Sequence, residues 1–159
     1  MRTEHSPFLS PAQPYNNSIQ QEGSFMYEAE RRFVETYLRK PRRERLLYEL
    51  TSPKKRSRGL ERFCHTLPSL IDPQHVVLSD SNLSALKEFR DFVKTHDEIC
   101  VILSPSFLDG RTMRLSEAVA LTFADPDASV ILGSTFAVAS GEAEKGGRVH
   151  YLLSAGTLL

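Results

Sequence analysis

The chain has 159 residues, 40% apolar and 25% charged, and its 20 basic and 20 acidic side chains cancel to a formal charge of zero. That length and make-up fit one soluble domain large enough to bury a core of its own. They exclude a collagen, a coiled coil and, with two cysteines, a disulfide-stapled scaffold, and no apolar stretch approaches the ~18 residues of a membrane span.

Residues 1–23 read as a disordered tail. Pro7, Pro11 and Pro14 fall there, close to Asn16, Asn17, Ser18, Gln20 and Gln21, and so polar a stretch offers too little apolar surface to offset the entropy of ordering. The tail has no basic start followed by an apolar run, as a signal peptide would, so the expected location is cytoplasmic. Residues 24–159 are expected to form a single domain, with a basic helical part over 24–67 and a sheet-containing part over 76–153.

Ser24 suits a helix cap, and Phe25, Ala29, Phe33 and Tyr37 recur every four residues, as one buried helical face does. This helix should stop before Pro41, which suits the first turn of a second helix carrying Leu46, Leu47 and Leu50. Ser52 as cap and Pro53 at the first helical position predict a third helix, with Leu60, Phe63, Cys64 and Leu67 on one face and an end at Leu67–Pro68.

Val76–Leu78 predicts a short strand, and Asp80, Ser81 and Asn82 offer caps for a helix through about Thr95. Ile99–Leu103 is the continuous apolar run of a buried strand. Asp109-Gly110 signals a turn, and a helix follows from about Leu115. Residues 129–139 alternate as one strand, with Val130, Leu132, Ser134, Phe136 and Val138 on one face. Gly146-Gly147 permits a hairpin into a last strand around Val149, Tyr151 and Leu153. The expected fold is α+β: three N-terminal helices packed with a mixed sheet of four to five strands that ends in an antiparallel hairpin.

The segments Arg42-Arg43-Glu44-Arg45 to Leu50, Ser52-Pro53-Lys54-Lys55-Arg56 and Leu108-Asp109-Gly110-Arg111 ahead of a helix together resemble a group of uncharacterised bacterial proteins, over most of residues 25–153. The resemblance implies a bacterial cytosolic origin and brings no activity and no functional residue with it.

The charge is unevenly spread. Residues 31–62 hold twelve basic and four acidic side chains, whereas residues 63–159 hold seven and twelve. Sign asymmetry of this kind points either to a charged partner or to neutralisation within the fold. On a wheel of about 100° per residue with Leu60 at the origin, Lys54, Lys55, Arg58 and Arg62 lie at about 120–220°, opposite the apolar face. Lys54, Lys55 and Arg56 in a first helical turn would oppose the helix dipole, so such cations are expected to answer to something outside their helix. Arg42, Arg45, Lys54, Lys55, Arg58 and Arg62 are therefore the candidate binding residues, for an acidic protein partner or for phosphate, and Tyr48 near Arg42 and Arg45 could stack on a base.

Signs of catalysis are sparse. There is no GxGxxG, no GxxxxGK[ST] and no Gly-x-Ser-x-Gly elbow. Ser104 and Ser106 follow the buried strand, and Asp109, Arg111 and Glu117 surround one loop; the plainer reading is a turn aspartate, a surface arginine and a glutamate that suits a helix start. His150 alternates with apolar neighbours, as a hydrogen-bonded sheet residue does. Cys64 and Cys100 read as core thiols, and their spacing with His65 and His96 does not favour a zinc site.

The expected function is that of a binding or regulatory module acting through protein–protein contacts, with an unknown partner or by self-association, without cofactor, metal or membrane. Two alternatives stay open: nucleic-acid or other polyanion binding through the basic helices of 39–62, and an enzyme with a site near the 104–117 loop.

Overall fold

The computed structural model describes residues 27–156. The tail assigned to 1–23 and the Ser24 cap lie outside the described residues.

Residues 27–37 are helical (α1) and bury Ala29, Phe33, Val34 and Tyr37, the face that the four-residue spacing marks. Arg39 turns to an extended conformation as the N-cap of α2 (Lys40–Thr51), and Pro41 sits in its first turn, where the N–H it lacks has no helical partner to lose. After Ser52 the chain makes a turn over 53–55, and α3 (Arg56–Leu70) begins at Arg56. This corrects the expected start at Pro53: Lys54 and Lys55 precede the helix. The expected end at Leu67 is also corrected. Pro68 lies inside α3, near enough to its C-terminus that only one late hydrogen bond is forgone, and the continued turn carries Ile71 into the core.

A 3₁₀ turn, Pro73–His75, leads into β1 (Val76–Asp80). The helix expected from Asp80–Asn82 starts later. Asp80 accepts the Asn82 N–H, a 3₁₀ turn spans Leu83–Ala85, and α4 runs only over Lys87–Thr95. Then come β2 (Ile99–Leu103), β3 (Thr112–Arg114), α5 (Leu115–Ala124), β4 (Ser129–Leu132), β5 (Phe136–Glu142) and β6 (Arg148–Ser154).

The fold is α+β, and its sheet has six strands in the order β1-β6-β5-β4-β2-β3. Every pairing is antiparallel, which corrects the mixed sheet of four to five strands. Two departures account for the extra strands. The three-residue β3 pairs with β2 at the edge and is too short to show a period. The alternating run 129–139 is two strands, because the chain reverses at Gly133–Thr135 so that Leu132 opposes Ala137. The reversal exchanges faces: Val130 and Leu132 share a cluster with Ala137 and Ala139, whereas Ile131 joins Phe136 and Val138. The Glu142–Gly147 connection is a hairpin, with Gly146 and Gly147 at positive φ.

Both faces of the sheet are covered. Val101, Leu103, Val130, Leu132 and Leu153 meet the α1–α3 layer, while Cys100, Ile102, Ile131, Val138 and Leu152 meet Phe89, Phe92, Leu115 and Ala118 from α4 and α5. Two-sided burial explains why the inner strands read as continuous apolar runs although the sheet is antiparallel. It leaves the outer surface of α2 and α3 free of the sheet.

Candidate basic groove between two helices

Along α2, Arg42, Arg45, Leu46 and Glu49 recur at the i, i+3, i+4, i+7 spacing of one face, and along α3 so do Gly59, Arg62, Phe63 and Thr66. These two faces approach closely near the turn, and the far ends are tied by the Arg39 N–H donating to the Leu70 carbonyl at 2.8 Å. A Cβ on Gly59 would lie 2.9 Å from Glu49 Cβ, so only glycine lets the backbones approach there. Away from the turn the same faces border a groove of about 550 Å³. Leu46, Phe63 and Leu70 supply apolar lining, and Arg39, Arg42, Arg45, Arg62 and His65 supply cationic groups around it.

Glu49 is the acidic residue that lines the groove, and it is buried. Its Oε1 accepts from Arg62 Nη2 at 2.6 Å and from Arg45 Nε at 3.0 Å. One carboxylate thus serves two guanidiniums, an arrangement worth more than either exposed pair alone because one partner is desolvated. Arg39 directs its Nε to the Ile71 carbonyl, and Arg42 has no ion pair among the described residues. The positive end of the groove is therefore the end at Arg39 and Arg42.

The remaining candidate cations lie elsewhere. Lys55 sits 4.5 Å over the Tyr48 ring and donates to its hydroxyl, so the tyrosine expected to stack on a base already carries a cation on its face. Lys54 and Arg58 are exposed, without ion pairs among the described residues. The structure brings Arg42, Arg45 and Arg62 together around one groove, and leaves Lys54, Lys55 and Arg58 outside its lining. Of the residues read as one stripe, Arg58 and Arg62 lie on α3, Lys55 is its N-cap and Lys54 lies in the turn ahead of it.

Arg56 has a different role from its neighbours. Its guanidinium meets Glu30 at 2.5 and 3.0 Å and Asp109 at 3.1 and 3.2 Å, and it also donates to the Leu50 carbonyl. Burial by itself would lower its pKa, but the hydrogen bonds and charges of Glu30 and Asp109 outweigh that and hold it above the ordinary arginine value. The partner of this cation is inside the molecule. It ties α1, the start of α3 and the loop after β2 together.

That clasp also fixes the loop after β2, the candidate catalytic loop of 104–117. Asp109 accepts from Arg56 and from the Ser104 N–H, and it makes no hydrogen bond with Arg111 or Glu117, both of which are exposed. Ser104 is buried; its hydroxyl donates to the Ala128 carbonyl, accepts the Ser106 N–H and lies 3.0 Å from the Ser106 hydroxyl, and so shapes the turn. On the opposite face of the sheet, buried His150 shares a 2.9 Å hydrogen bond with Ser140 through Nδ1, and burial, then Arg148, lowers its pKa against the pull of Asp80. Cys64 and Cys100 lie in the two separate cores, each thiol pushed up to about 12 chiefly by burial, so they do not meet.

Among the described residues no helix is long and apolar enough to cross a membrane. Searched against protein-family models, curated proteins and solved structures, the chain finds no match.

Proposed function

We propose that this protein is an interaction module that docks a protein partner in the groove between α2 and α3. The observation that carries the reading is the combination of apolar lining from Leu46, Phe63 and Leu70 with a rim of arginines. Sites that hold a protein segment join an apolar seat to a few charged groups that fix orientation. The volume, about 550 Å³, falls within the range of about 300–1,000 Å³ that encloses ligand-sized groups.

Nucleic acid fits the same surface less well. Phosphate recognition is favoured by cations aligned along an open face, whereas three of the six candidate cations face an apolar cleft. Single strands add stacking on exposed rings, but Phe63 is buried and Tyr48 is engaged by Lys55.

The test is a photo-crosslinking amino acid placed at Ser69, which lines the groove and is exposed, and at Ser79 on β1 as a control. The expected product in cells is a discrete protein adduct from position 69 that position 79 does not give. In parallel, fluorescence anisotropy on duplex DNA and on RNA should detect no complex at about 50 mM salt. A complex whose affinity falls with a log–log slope near −0.9 per phosphate contacted, together with nucleic acid in the crosslink, would replace the protein-docking reading with polyanion binding.

A further inference from the structure

The geometry points to a specific chemistry for the partner: a linear segment that presents an apolar side chain flanked by carboxylates. The inference rests on the docking role of the groove and narrows it. Leu46 and Phe63, both nearly buried in the core, form the floor of the groove, and half-buried Leu70 leaves more of its surface open beside them, so an apolar side chain laid there gains from leaving water.

The charges around that seat are not equivalent. Arg45 and Arg62 already share the buried Glu49, so one of their two charges is offset within the molecule. His65 lies 3.5 Å from Glu142. Arg39 and Arg42, at the other end, meet no carboxylate among the described residues. A segment that enters with its apolar residue over Leu46 and Phe63 therefore places its neighbours beside two uncompensated guanidiniums. Acidic neighbours form charge-assisted hydrogen bonds there, and basic neighbours are repelled, which is how such an interface discriminates between partners. One orientation of the acidic flank is favoured, at the Arg39–Arg42 end.

A random twelve-residue peptide library, displayed and selected on the intact chain, tests this. Selected sequences should carry Leu, Ile, Phe or Trp next to Asp or Glu, and synthetic copies should bind in anisotropy measurements. Arg42→Glu should weaken them by about tenfold or more, and so should replacing their acids by amides. Ser69→Trp, which fills the groove from an exposed position, should weaken them as well, with the fold of each variant checked by circular dichroism. Peptides that lose binding in Ser69→Trp but show no acidic excess, and ignore Arg42→Glu, would overturn the acidic chemistry while leaving docking in the groove intact. Selected peptides that bind equally well to both variants, or no selected peptide at all, would overturn docking and chemistry together. A concentration-dependent dimer, abolished by Ser69→Trp, would assign the groove to a second copy of this chain and equally overturn the inference.

Discussion

Arg56 stands in a run of cations, Lys54-Lys55-Arg56, that looks uniform in the sequence. Only Arg56 turns inward, because Glu30 and Asp109 wait for it there, 26 and 53 positions away along the chain. Glu30 is 3% exposed, so removal of its partner would strand a buried carboxylate. Breaking a buried pair from one side costs about 3–5 kcal/mol. Arg56→Met should therefore lower the unfolding free energy from denaturant titration by an amount of that size, whereas Arg58→Met, two positions on and exposed, should stay within about 0.5 kcal/mol. Equal, small effects at the two positions would show that the clasp is not holding the helices to the sheet. At about 100° per residue Arg56 falls about 40° from Leu60, on the core-facing side of the helix, and Arg58 about 160° from it, so the wheel separates the two arginines but does not identify the partners of the first. A helical wheel separates core from solvent within one helix, but it contains no information about an acid delivered by α1 or by the loop after β2.

At the scale of the elements, the signals that read well are those that act within a few residues. Pro41 separates α1 from α2, Gly146-Gly147 turns the last hairpin, and the four-residue repeat of Ala29, Phe33 and Tyr37 marks the face that packs. The signals that mislead are periodic without being punctuated. Residues 129–139 alternate whether the strand is straight or folded back, and part of what holds the fold-back is remote: Glu98 accepts the Ser134 N–H at 2.6 Å and its hydroxyl at 2.9 Å. The groove shows a similar division. The faces of Arg42, Arg45 and Glu49 on α2 and of Arg62 and Phe63 on α3 are legible from spacing, but their apposition depends on Gly59. Gly59→Ala should gain about 1 kcal/mol of helix propensity. Against that, the new methyl would sit 2.9 Å from Glu49 Cβ, an atom fixed to the backbone of α2 that cannot swing away, and overpacking of this kind costs about 1–3 kcal/mol. The expected outcome in urea is net destabilisation, accompanied by a loosened pair between Glu49 and Arg62. A stabilised Gly59→Ala would mean that the two helices are free to move apart, and that the groove has no fixed width.

For the whole molecule, the zero net charge conceals a partial internal settlement. Arg31, Arg45, Arg56 and Arg62 are met by acids of the same chain, so the basic segment is less bare than its composition suggests, while its other cations meet no carboxylate among the described residues. The buried titratable groups then set how stability follows pH. His150 has a folded pKa below its ordinary 6.5, chiefly because burial disfavours the charged ring. Above 6.5 both folded and unfolded chains carry the neutral ring and the full stability is present. As pH falls below 6.5 the unfolded chain binds its proton first, so stability is lost progressively until the folded ring also titrates. The thiols act at the other end. Cys64 and Cys100 ionise at about 12 in the fold against an ordinary 9.0, again chiefly through burial. Above 9.0 the unfolded chain loses thiol protons that the folded chain keeps, so stability falls as pH rises from there toward 12. Buried Tyr37 and half-buried Tyr151, both raised by burial first, add the same sign at still higher pH. Urea midpoints measured against pH should therefore form a plateau between about 6.5 and 9 with a descending limb on each side. His150→Gln, which keeps a side chain able to hydrogen-bond Ser140 but does not titrate, should flatten the acid limb just below pH 6.5, and Cys64→Ala should flatten part of the alkaline one, whatever each does to the plateau height. The slope is the decisive readout, because a cavity or a lost contact shifts the whole curve without bending it. An acid limb unchanged in His150→Gln would mean that the imidazole is solvated in the folded protein and that the Ser140 contact does not seal it.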